Sequence, residues 1–144
     1  MKINEAFFTG EAFHKAANSM IPDDWIEDES DGYWFIPSIV NLSLACELYL
    51  KYLLCENGID YPRTHDLKTL FLALPLEIQN KVLNSAEFRG DDEFYNILEE
   101  DKDVFKKWRY YFENSSISVE LIFLGNFAYV LHSISEQILD RDTN

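Results

Sequence analysis

At 144 residues, 47% hydrophobic and 15% aromatic, the chain is long enough to bury one core and too apolar to stay disordered. Its formal charge is 12 − 26 = −14, which opposes non-specific nucleic-acid binding by the whole surface, because phosphate contacts need cations. A local basic groove is still allowed. Five glycines and four prolines favour helices, and residues 1–144 read as a single all-α domain.

The first predicted helix runs from Asn4 to Asn18, with Ala6, Phe7, Phe8, Phe13, Ala16 and Ala17 as its apolar set. One lysine and then Asn4-Glu5, with no long apolar run, predict the absence of a signal peptide. A loop follows, in which the run from Asp23 to Asp31 carries six acids and no base and reads as solvated. The second helix runs from Pro37 to Asn57, with Gly58 placed to end it. It is apolar on most sides. Its exceptions, Ser43, Glu47 and Lys51, recur every four residues and form one polar stripe. Glu47 and Lys51 would be costly in lipid, so a central bundle helix is expected rather than a membrane span.

After the loop at Ile59 to Arg63, Thr64 is expected to cap a short helix from His65 to Leu74, and Pro75 to restart the chain as a helix from Leu76 to Asn84. A polar connection leads to a helix from Glu93 to Glu100. The segment from Asp103 to Glu113 reads as an amphipathic aromatic helix, with Arg109 and Glu113 four apart on one face among Trp108, Tyr110, Tyr111 and Phe112. A guanidinium in that setting is either a structural ion pair or a phosphate-binding group. The sequence expects it to be partly buried and paired, because burial without a partner is expensive. Ser118 is expected to cap the last helix, Val119 to Leu139, which is again strongly apolar.

Few residues carry chemistry. Glu47 and Lys51 read as a surface helix pair. Cys46 and Cys55 lie nine residues apart in one helix, about 900° of turn, so they point to opposite faces and do not pair. They read as core fillers in a reduced, cytoplasmic protein. His132 and His14 read as packing histidines. His65-Asp66, with His14 and Asp140, has the residue types of a metal-dependent phosphohydrolase. Three histidines and many acids make such a set easy to find by chance, and the placement of Asp66 in a first helical turn, where it favours the positive dipole end, is the preferred explanation. No metal and no cofactor are expected. A nucleophilic triad and a Gly-rich phosphate loop have no motif support.

The stretch Ser43-Leu44-Ala45-Cys46-Glu47-Leu48-Tyr49-Leu50-Lys51-Tyr52-Leu53-Leu54, followed by Thr64-His65-Asp66-Leu67-Lys68-Thr69-Leu70-Phe71, resembles the long helix and the His-Asp-Leu segment of bacterial HEPN domains. Trp108-Arg109-Tyr110-Tyr111-Phe112-Glu113 resembles their later, arginine-bearing helix, and the resemblance spans roughly residues 35–140. It implies an all-α up-and-down helical bundle, here with additional short helices, and often a homodimer. Many members are metal-independent ribonucleases of toxin–antitoxin, antiviral and RNA-processing systems; others are non-catalytic. Their catalytic signature is an arginine followed, after four to six residues, by a histidine. The arginine stabilises the pentacoordinate phosphate and the histidine moves the proton.

Arg109 takes the arginine position, and the histidine positions hold Asn114, Ser115 and Ser116. No side chain there titrates near neutral pH, and Glu113 beside Arg109 is a poor substitute. The expected protein is a cytoplasmic, homodimeric HEPN-like binding or regulatory module of a defence or toxin–antitoxin-type system, with a protein partner encoded by a neighbouring gene. Arg109, Glu113, Glu47, Lys51, His65 and Asp66 would form its polar or ligand cluster. The alternative is a divergent endoribonuclease that uses Arg109, although the net charge disfavours RNA.

Overall fold

The computed structural model describes residues 2–21, 35–102 and 117–143, and within them the chain is helical with no strand. The described helices are α1 (Ile3–Met20), α2 (Phe35–Glu56), α3 (Leu67–Leu72), α4 (Leu76–Leu83), α5 (Phe94–Asp101) and α6 (Ile117–Thr143). The acidic run from Asp23 to Asp31 and the aromatic segment with Arg109 and Glu113 lie outside the described residues.

The fold is built around α2, which packs along α1 on one side and α6 on the other, with α3 against it. Its length and composition would suffice to cross a membrane, yet 67% of that apolar stretch is buried inside the bundle. Three neighbouring helices therefore take up the apolar surplus that the sequence pattern shows. Gly10 sets how closely α1 approaches: a Cβ there would lie 3.1 Å from the Tyr49 ring and 3.2 Å from Leu48 Cβ. Two aromatic clusters fill the core. Phe7, Tyr49 and Tyr52 meet between α1 and α2, and Phe71, Phe88, Phe94, Phe123 and Phe127 meet among the short helices and α6.

The punctuation of the chain has local causes. Gly58, at φ +70°, closes α2: its N–H bonds to the Cys55 carbonyl and the Ile59 N–H to the Leu54 carbonyl at 2.9 Å. The cap of α3 differs from expectation. Thr64 does not cap it. Its hydroxyl accepts from the Asp66 N–H at 3.0 Å, and Asp66, as the capping residue, accepts from the Thr69 N–H at 3.0 Å. The helix accordingly begins at Leu67 rather than His65. The last helix starts at Ile117, one residue ahead of the expected cap Ser118. Phe8, expected in the core, is 55% exposed, because Ala6, Phe7, Gly10 and Ala17 form the buried edge of α1.

Candidate functional site

Glu47 sits at the middle of α2 and is buried. Lys51, one turn further along, donates to Glu47 Oε2 at 3.0 Å and lies 5.2 Å from the centre of the Tyr61 ring. His65 Nδ1 lies 2.7 Å from Glu47 Oε1. Both oxygens of one buried carboxylate are thus engaged, one by the helix stripe and one by the loop before α3. A carboxylate only accepts, so the Nδ1 position of His65 carries the proton. The expectation of a surface Glu47–Lys51 pair is corrected on one point: the pair forms, but Glu47 keeps 8% and Lys51 15% of its side chain exposed. Lys51 shares a small depression with Lys2, Ile3, Ala6, Cys55 and Tyr61.

The loop that carries His65 is pinned from the far side. The Leu67 N–H donates to the Lys102 carbonyl at 2.9 Å, tying the start of α3 to the end of α5. Glu99 reinforces this tie by accepting from Lys68 and Lys102, and those two ammonium groups hold its carboxyl down at about 2. Asp66, which the sequence places in the same cluster, is committed to the cap of α3. The structure therefore brings together Glu47, Lys51 and His65, and directs the Asp66 carboxylate to the backbone. Arg109 and Glu113 lie outside the described residues.

Two further groups of polar residues are assembled by packing, and the first holds the two packing histidines, His132 and His14. His132 Nε2 on α6 lies 2.9 Å from Glu11 Oε2 on α1 and 3.7 Å from Glu136 Oε2 on its own helix. His14 Nδ1 lies 3.1 Å from the Tyr49 hydroxyl beside them. Only the His132–Glu136 spacing of four is visible in one dimension; Glu11 is brought in from 121 residues away by packing. The second group is acidic. Asp101 and Glu120 are buried, and neither the Asp101 carboxyl oxygens nor Glu120 Oε2 has a hydrogen-bond partner among the described residues. Burial, aided by the charges of Glu120 and Glu100, pushes Asp101 up to about 8. Burial and Glu100 push Glu120 up to about 7. At neutral pH this corner of the bundle holds protons that ordinary carboxylates have lost.

Both cysteines are free. Cys46 is fully buried and points its thiol at the Leu124 carbonyl, and burial raises it well above the usual thiol range, so it serves as a core residue.

No curated protein and no solved structure matches the chain. A family model, described as the HEPN domain, matches residues 29–114. That stretch contains α2 through α5, and with them Glu47, Lys51, His65 and the arginine-bearing segment. The helical bundle and this match, which covers more than half of the chain, together make the protein a member of the HEPN domain family.

Proposed function

We propose that this HEPN domain is a non-catalytic binding or regulatory module of a cytoplasmic bacterial defence or toxin–antitoxin-type system, acting as a homodimer with a protein encoded by a neighbouring gene. The observation that carries this reading is the use made of the polar stripe. Glu47 spends both oxygens on Lys51 and His65, and Lys51 is further engaged by Tyr61, so the stripe organises the bundle. The sequence adds that Asn114, Ser115 and Ser116 stand where the family's ribonucleases carry a histidine. Without it, acid–base assistance worth roughly 10²–10⁴ in rate is missing. The net charge of −14 opposes RNA capture as well.

The dimer reading rests on α6. The surplus apolar surface of α2 is consumed within the bundle, whereas Ile122 and Tyr129 on α6 are 50% and 57% exposed and lie seven residues, two turns, apart. A second copy of this face is the occupant that a two-fold interface requires.

A second reading has one specific observation behind it. His65 and Glu47 form a histidine–carboxylate dyad, and the His65 side chain is 48% exposed. Such a dyad can move a proton. A divergent endoribonuclease would then pair Arg109 with His65. One experiment separates the two: wild type, Arg109→Ala and His65→Gln are incubated with single-stranded RNA in excess chelator. The proposal expects no cleavage by any of them. Product with 2′,3′-cyclic phosphate ends from the wild type, lost in both folded variants, establishes the ribonuclease instead.

A further inference from the structure

We propose that Glu11, His132 and Glu136 form a binding site for a divalent first-row transition-metal cation, bridging α1 and α6. The inference is independent of the function proposed above. All three residues lie outside residues 29–114, the stretch matched by the family model. His65, Asp66, His14 and Asp140, the residues with metal-hydrolase chemistry in the sequence, are a different set.

The geometry is that of a two-helix chelate. His132 and Glu136 stand four apart on α6, the spacing that puts two side chains on one helical face. Glu11 reaches them from α1, and one donor atom from each of the three lies within 4.8 Å of the other two. Ligands about 2.0–2.2 Å from a tetrahedral ion are roughly 3.4 Å from one another. His132 Nε2 is 2.9 Å from Glu11 Oε2 and 3.7 Å from Glu136 Oε2, which brackets that separation. Glu136, with 55% of its side chain exposed, can close the remaining gap by a rotamer change.

The surroundings hold the imidazole in place. Phe7 stacks on the His132 ring at 5.4 Å and 24°, and Tyr49 meets its edge at 5.6 Å. These contacts fix the direction of Nε2 toward Glu11. Without a cation, a proton must lie between Nε2 and Oε2 at 2.9 Å, because two acceptors would repel. The cation takes the position of that proton, which is the exchange that ordinarily accompanies metal binding to imidazole and carboxylate. One nitrogen and two carboxylate oxygens suit zinc, cobalt or manganese, and leave room for water to complete the coordination.

The test uses the full chain, stripped with chelator and dialysed. Zn²⁺ and Co²⁺ are titrated in separately, with calorimetry for stoichiometry and thermal melts for stabilisation. The expected result is one Zn²⁺ per chain, a raised melting temperature in excess metal, and visible Co²⁺ bands that Zn²⁺ displaces. Glu136→Gln should weaken binding at least tenfold while leaving the metal-free melt unchanged, since Glu136 is exposed. His132→Gln should abolish binding, and His65→Gln should retain it. The proposal is overturned if the wild type takes up no metal saturably. It is equally overturned if uptake survives both Glu136→Gln and His132→Gln, or is lost in His65→Gln alone.

Discussion

His65 Nδ1 lies 2.7 Å from Glu47 Oε1, and that contact joins the middle of α2 to the loop that launches α3. The same carboxylate holds Lys51 at 3.0 Å. One buried anion therefore fixes a neighbouring turn of its own helix and a segment 18 residues away. Its removal leaves Lys51 with an unmatched charge in a site only 15% exposed. Glu47→Ala is expected to cost about 2–3 kcal/mol in urea unfolding, somewhat below the range for a fully buried pair. The double variant Glu47→Leu with Lys51→Met should recover most of that loss, because no charge is then stranded. A loss below about 0.5 kcal/mol in the single variant would place the cluster outside the structural framework.

The acidic corner gives the protein an unusual pH profile. Asp101 rises from 3.8 to about 8, and Glu120 from 4.5 to about 7. Glu56 also rises, to about 7, through burial and its hydrogen bond with Asp142. A carboxyl whose folded value is raised binds its proton more tightly in the native state. Its contribution is fully present below about pH 4 and is lost as the pH climbs to 7–8. Glu11 and Glu99, both lowered, act in the opposite sense and lose their contribution as the pH falls below about 4.5. Melting temperature should therefore peak near pH 5 and decline toward pH 8. Asp101→Asn, neutral throughout, should flatten that decline and gain roughly 2 kcal/mol over wild type at pH 8. A wild-type melt that is flat from pH 5 to 8 would contradict the raised values of Asp101, Glu120 and Glu56.

Gly10 tests the close packing of α1 on α2. An alanine raises helix propensity by up to about 1 kcal/mol. Its Cβ would press on Leu48 Cβ at 3.2 Å and on the ring of Tyr49, which is fully buried and anchored by His14. Neither neighbour is the free end of a flexible chain. Gly10→Ala is expected to destabilise by about 1 kcal/mol net. Stabilisation instead would show that the two helices separate readily.

The assembly prediction turns on α6. Light scattering at micromolar concentration should give about twice the chain mass. Ile122→Glu with Tyr129→Glu should halve it while leaving the circular dichroism spectrum unchanged, since both side chains are at least half exposed in the single chain. A monomeric wild type would remove the dimer reading.

Much of the fold is written locally, and the reason is helical periodicity. The apolar runs of α2 and α6, Gly58 past the end of α2 and Pro75 ahead of α4 each declare an element within a few residues. So does the four-residue spacing that makes Glu47 and Lys51 neighbours. Boundaries slip where two polar residues compete for one role: Thr64 and Asp66 both qualify as caps, and it is Asp66 that accepts from the Thr69 N–H, while the Lys102 carbonyl takes up the Leu67 N–H.

Burial of polar residues was decided by packing alone. Nothing local distinguishes the buried Glu47 from a solvent-facing glutamate, and the i,i+4 spacing is the same in both cases. Asp101 is one of several acids at the end of α5, yet it alone among Glu99, Glu100 and Asp101 turns into the core. His132 reads as a packing histidine because its partner Glu11 is 121 residues distant, and Phe7 and Tyr49 orient its ring only once α1, α2 and α6 are assembled. Sequence spacing specifies contacts one or two helical turns apart; the desolvation and long-range pairing that set charge and chemistry arise only when helices far apart in the chain come together.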